Sequence, residues 1–127
     1  MDAAASRPDP TEATEPAAFA AGAGLYLHVP FCSAICPYCD FAVVTGGPAR
    51  RAAFARHLAA EATLWAGAPL AFDTVYLGGG TPSALSPADL ALVLQAVRGA
   101  LRISADAWLF LEANPEDVTR ESLAAWR

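Results

Sequence analysis

Apolar and polar positions fall into two alternating periods along the chain. Leu25, Leu27 and Val29 alternate with Tyr26 and His28, the two-residue period of a strand with one aliphatic face. Pro30 ends that ladder by removing a donor. From Ala49 to Ala66 the period lengthens: Phe54, Leu58, Ala62 and Trp65 recur along one helical stripe, with Arg50, Arg51, Arg56 and Glu61 expected mainly on the wetter side. Gly67 and Pro69 close this helix. Phe72 to Leu77 predicts a second strand, which stops in Gly78, Gly79 and Gly80. A second helix follows Leu85, with Ser86 as N-cap, Pro87 at the first helical position and Asp89 completing a capping box; Leu90, Leu94, Val97 and Leu101 line its buried side. Ala107 to Ala113 predicts a third strand, and Thr119 caps a third helix bearing Leu123 and Trp126.

The order strand, helix, strand, helix, strand, helix, with connections long enough for crossovers, predicts a parallel α/β fold. Three parallel strands cover a core poorly by themselves. The pattern is therefore read as the N-terminal part of a longer α/β fold, truncated after the third strand and the start of the third helix. A small complete three-layer domain is the competing architecture. Residues 1–24, rich in Ala and Pro with Pro8, Pro10 and Pro16 as breaks, read as a disordered tail, and residues 25–127 as the start of the core domain. A short helix near Ala17 to Ala21 is the alternative there.

Charge removes some functions. Acidic side chains outnumber basic ones, 13 against 8, and the net charge of −5 without a Lys/Arg run argues against a nucleic-acid surface. Neither a signal peptide nor a stretch long enough to span a bilayer is apparent, so a cytoplasmic location is expected. In a reducing compartment an odd cysteine count suits metal ligation better than a disulfide framework.

The chemistry-bearing residues gather at the C-terminal ends of the expected strands, the edge where parallel α/β folds bind ligands. Cys32, Cys36 and Cys39 have the spacing C-x3-C-x2-C on one loop stiffened by Pro37. Three thiolates on a [4Fe–4S] cluster leave one iron without a protein ligand; zinc held by the same three thiolates with His28 or a partner's ligand is the alternative. Gly78 to Gly80 can expose consecutive N–H groups to a small anion, although a tight turn with no ligand explains them equally. Glu112 ends an otherwise apolar strand and invites a polar partner such as a ligand ammonium or ribose hydroxyl. His28 is read as a satisfied core histidine. Tyr38 and Phe41 could shield a cluster or stack on a base, or simply pack.

Three segments in order, YLHVPFCSAICPYCDF at Tyr26–Phe41, VYLGGGTPSAL at Val75–Leu85 and LEANPEDVT at Leu111–Thr119, resemble the radical S-adenosylmethionine (radical SAM) superfamily, within it the relatives of oxygen-independent coproporphyrinogen III oxidase. The resemblance implies a partial (β/α)6 TIM-like barrel followed by a further domain. It implies a [4Fe–4S] cluster on Cys32, Cys36 and Cys39, with S-adenosylmethionine on the open iron. Gly79, Gly80 and Thr81 would hold the methionine end, Glu112 would contact a polar part, and Tyr26 and Tyr38 would belong to the cofactor neighbourhood. Typical members cleave the sulfonium reductively to methionine and a 5′-deoxyadenosyl radical. Oxidases of this group usually carry another cysteine just after the triad, where this chain has Asp40 and Phe41. That ending resembles the heme chaperone (HemW-like) branch, which implies heme or porphyrin as ligand, a haem-protein recipient and an electron donor. An oxidase decarboxylating coproporphyrinogen III and a zinc-stabilised binding module are the alternatives.

Overall fold

The computed structural model describes residues 22–127, so the tail apart from its last three residues lies outside the described residues. The chain runs β1 (Ala23–Val29), β2 (Phe31–Cys32), β3 (Val44–Thr45), α1 (Pro48–Leu64), β4 (Ala71–Gly79), α2 (Pro87–Ala100), β5 (Arg102–Leu111) and α3 (Arg120–Trp126), with 3-10 turns at Pro82–Ala84 and Pro115–Asp117. Ala23 and Gly24, expected in the tail, open β1.

β1, β4 and β5 form a parallel sheet in the order β1-β4-β5. Parallel neighbours require crossovers, which α1 and α2 supply. Both helices pack on the same face. Leu27 and Val29 of β1, Val75 and Leu77 of β4, Ala55 and Ala62 of α1, and Leu90, Val93 and Val97 of α2 make one buried cluster. Each fully buried aliphatic side chain contributes roughly 1.5–3 kcal/mol of transfer free energy. The result is an alternating β/α arrangement with its helices on one face of a parallel sheet.

Several helix expectations hold in detail. Ser86 accepts from the Asp89 N–H at 3.1 Å, and Thr119 accepts from that of Ser122. The reciprocal capping box expected at Asp89 forms at Ser122 instead, the Asp89 carboxylate accepting from the Ser86 hydroxyl at 2.7 Å. Two others change. α1 ends at Leu64, so Trp65 sits past the stripe and stays 62% exposed, while the small side chains of Ala55 and Ala59 are buried. Arg51 is not on the wet side: its guanidinium reaches across to donate to the Ala84 carbonyl at 3.1 Å.

β5 is longer than expected but irregular at its start. Its pairing with β4 jumps from Phe72 opposite Ile103 to Thr74 opposite Trp108, and only the second half runs in step. The regular half begins one residue after the expected strand start at Ala107.

Candidate functional site

Because β1, β4 and β5 are parallel, their C-terminal ends emerge together and bring the three motifs to one edge. Pro30 ends β1, and the chain makes a two-residue bridge, Cys32 opposite Thr45, which closes the cysteine loop at its base. Phe31 anchors that base, being 2% exposed and meeting Phe54 edge-on at 5.4 Å. Cys32 and Cys39 are half-buried, Cys36 is exposed, and all three are free thiols.

Thr81 joins the cysteine loop to the glycine turn. Its N–H donates to the Phe31 carbonyl at 2.6 Å, and its hydroxyl lies 3.6 Å from the Cys32 sulfur, within reach of a weak hydrogen bond. Gly80 donates to the Val29 carbonyl at 2.8 Å. A Cβ on Gly80 would stand 2.7 Å from the Phe31 oxygen and 2.8 Å from the Pro30 carbonyl carbon, so only glycine lets the two backbones approach this closely.

Gly79 is bound from β5. Its N–H donates to Glu112 Oε2 at 3.1 Å, while Tyr76 donates its hydroxyl to Glu112 Oε1 at 2.8 Å. The glycine run therefore does not present three free donors to an anion: the N–H groups of Gly79, Gly80 and Thr81 are all used within the protein, and the carboxylate on Gly79 is Glu112's own. The hydrogen bond to Glu112 is the main reason the Tyr76 hydroxyl ionises above its ordinary range, with partial burial adding to it.

His28 has partners on both ring nitrogens, as expected, but it is only half-buried and lies outside the core cluster in which it was expected. Nε2 stands 2.8 Å from the Ala42 carbonyl, which only accepts, so Nε2 carries the proton; in the neutral ring Nδ1 then accepts from the Tyr26 hydroxyl at 3.2 Å. This ties the returning limb of the cysteine loop to β1. Cys39 donates its N–H to the Cys36 carbonyl at 3.0 Å around a turn at Pro37 and Tyr38. Tyr38 is 88% exposed, and its hydroxyl is held above the usual range first by its hydrogen bond to Cys36.

Sequence reasoning missed Tyr76 and Ser83. Tyr76 shares the parity of Gly78, a signal that it points to the same side as Glu112. Ser83 donates to Asp117 at 2.6 Å and accepts from the Asn114 N–H at 3.2 Å, fastening the segment after the glycines to the loop after β5. The sheet face below this edge carries a row of stacked rings: Tyr26 on Tyr76 at 6.0 Å, Tyr76 on Phe110 at 5.9 Å, and Phe110 beside Trp108 at 6.4 Å. A larger apolar cleft, about 870 Å³, lies between β1 and α1, but no cysteine, glycine or carboxylate of this edge lines it.

No family model matches the chain. It is 43% identical over 112 residues to the heme chaperone HemW of Mycobacterium tuberculosis, covering 82% of this chain and 28% of that protein. It is 40% identical over 106 residues to the mitochondrial radical S-adenosyl methionine domain-containing protein 1 of Bos taurus, covering 82% and 24% respectively. Among solved structures it matches the radical SAM coproporphyrinogen III oxidase of Escherichia coli with a TM-score of 0.68 at 25% identity, covering 82% of this chain and 25% of that one. The chain is homologous to radical SAM proteins of the HemW and coproporphyrinogen oxidase-like group. It spans about a quarter of the length of the curated relatives it matches.

The radical SAM relationship makes the thiols the first place to test for a cluster. Their chemistry fits: soft thiolates select iron–sulfur centres or zinc. Their arrangement needs closure, because among the described residues no three His, Cys, Asp or Glu side chains are gathered into a group that could hold a metal ion. Loops that bind such groups gain their final order from ligation itself. Here Cys36 and Cys39 already share a turn, and the Cys32 end is fixed at the bridge. No helix among the described residues is long and apolar enough to cross a membrane.

Proposed function

We propose that this chain is the cluster-bearing part of a radical SAM heme chaperone, which binds heme and delivers it to a haem protein. One observation carries the reading: the thiol loop and the glycine turn meet, through Thr81 and Cys32, at the same sheet edge as Glu112. Cys32, Cys36 and Cys39 would hold a [4Fe–4S] cluster with one iron open to S-adenosylmethionine. When bound, that pair of cofactors supplies one-electron reductive chemistry at a sulfonium.

The protein's part is positioning. Gly79, Gly80 and Thr81 form the floor beneath the cluster loop, held so close to Pro30 and Phe31 that the floor cannot shift without moving the loop. Glu112 fixes the Gly79 peptide and faces solvent, leaving its remaining lone pairs for a polar ligand group. Tyr26 and Tyr38 are both exposed and would screen this edge. Residues 25–127 would form the first part of the core domain and residues 1–24 a tail outside it. A cytoplasmic location, an external electron donor and a haem-protein recipient complete the proposal.

Asp40 and Phe41 following the triad favour the chaperone over an oxidase, as does the similarity to HemW. The test is an anaerobic titration of the cluster-reconstituted protein with heme, followed by incubation with coproporphyrinogen III, S-adenosylmethionine, reductant and an electron acceptor. A saturable shift of the heme absorbance without release of carbon dioxide is expected. Carbon dioxide release with no heme binding would assign the chain to the oxidases instead.

A further inference from the structure

We infer that Cys36 and Cys39 form a dithiol–disulfide pair that excludes Cys32, and that its oxidised form cannot accept a metal cluster. The pairing rests on this chain's own geometry; the gate rests additionally on the cluster reading above. The sequence Cys36-Pro37-Tyr38-Cys39 is a C-x-x-C unit beside a βαβ pattern, an arrangement suited to thiol–disulfide exchange. In the structure the four residues make one turn, closed by the Cys39 N–H donating to the Cys36 carbonyl at 3.0 Å. Such turns hold their end Cα atoms within about 7 Å, and disulfides bridge Cα atoms about 4.4–6.8 Å apart, so closure needs little backbone movement.

Cys32 is set apart by three separate restraints. Its backbone pairs with Thr45, its neighbour Phe31 is buried at 2% exposure, and its thiol lies 3.6 Å from the Thr81 hydroxyl. A disulfide to Cys32 needs the rest of the loop to fold back onto that fixed end, whereas joining Cys36 to Cys39 needs only the turn that is already formed. The two partners also differ in access. Cys36 is exposed, so a small disulfide can reach it; Cys39 is half-buried and adjacent, suited to resolve the mixed disulfide.

With glutathione disulfide as the oxidant, the Cys36 thiolate attacks one glutathione sulfur. The S–S bond of glutathione disulfide breaks and the first glutathione thiolate leaves. The Cys39 thiolate then attacks the Cys36 sulfur and expels the second glutathione. The two cysteines together lose two electrons and two protons, which the two glutathiones gain. Two of the three cluster thiolates are consumed, and the described residues hold no other cysteine to replace them.

The experiment uses the whole chain, reduced and freed of metal by a chelator, then oxidised anaerobically with glutathione disulfide. Free thiols are alkylated and the peptides mapped by mass spectrometry. The expected product has Cys36 joined to Cys39 and Cys32 alkylated; Cys32→Ser retains the bond, while Cys39→Ser accumulates glutathione on Cys36. A bond that includes Cys32, or an even mixture of pairings, overturns the assignment. Both forms are then offered ferrous iron and sulfide, and bound iron is measured. The oxidised chain is expected to take up none until a dithiol reductant is added. Equal iron uptake by both forms overturns the gate. Reduced chain that takes up no iron refutes the cluster reading and the gate with it, while the peptide map still decides the pairing.

Discussion

Replacing Gly79 with alanine perturbs the site in two ways that can be separated. Gly79 has φ +110°, a backbone conformation that L side chains rarely adopt. The strain of holding an alanine there costs about 1–3 kcal/mol. The new Cβ would also lie 2.5 Å from both Cε1 and Nδ1 of His28. That ring is not free to swing aside, because Nε2 is bonded to Ala42 and Nδ1 to Tyr26. Forcing a methyl into occupied space costs about 1–3 kcal/mol more, so Gly79→Ala should lose about 2–6 kcal/mol in all. Removing the ring opens the space. In a His28→Ala background the same substitution should cost only the strain, about 1–3 kcal/mol, and the double-mutant cycle should return the steric part as coupling. Urea denaturation of the four proteins, followed by far-ultraviolet circular dichroism, measures each quantity. A loss below about 1 kcal/mol for the single mutant would refute the strain argument. An equal loss in both backgrounds would refute the contact with His28.

Gly99 is the matching control. It lies within α2, nothing would come within 4 Å of its added Cβ, and Gly99→Ala should stabilise by about 0.5–1 kcal/mol in the same assay. Tyr76 should show its bond to Glu112 in a phenolate absorbance titration, ionising above the ordinary value of 10.0. Since the protonated hydroxyl is the bonded form, its contribution to stability is whole below that value and is lost as pH rises through the higher folded one. Tyr76→Phe should abolish that loss; an unchanged alkaline stability profile in Tyr76→Phe would show that the bond contributes nothing.

Local chemistry was legible in the sequence wherever a rule acts over a few residues. The alternation at Leu25 to Val29, the Ser86 cap and the Thr119 cap all lie within one turn or one strand, and each formed as expected. The stripe through Trp65 failed because a period states which face a residue shares, not where the helix stops; the helix ended one residue earlier. Ala55 and Ala59 were passed over because their side chains are small, yet small side chains are what a closely packed helix face buries. Val93, fully buried, lies three residues from Leu90 and four from Val97 and belonged to the α2 stripe that was read through Leu94 instead.

The candidate site divided in the same manner. Its cysteines, glycines and Glu112 were recognisable from spacing and parity, and strand direction alone predicted that they would meet at one edge. Who bonds to whom was not legible. The Gly79 N–H finds its acceptor 33 residues away, and the His28 ring finds Ala42 across the whole cysteine loop. The first depends on register between β4 and β5 and the second on how the cysteine loop returns to β1, neither of which a local pattern records. Consequently the sequence left open donors and a tight turn as equal readings of the glycines, and the hydrogen bonds taken up within the protein favour the tight turn.

The central claim is that Cys32, Cys36 and Cys39 hold an iron–sulfur cluster with a position left for S-adenosylmethionine. The most direct measurement is anaerobic reconstitution with iron and sulfide, followed by EPR of the dithionite-reduced protein with and without S-adenosylmethionine. The account predicts a [4Fe–4S]⁺ signal that changes when S-adenosylmethionine is added and is absent when the three cysteines are replaced by alanine. Stoichiometric zinc on the same thiols, with no cluster signal in the reduced protein, would contradict it.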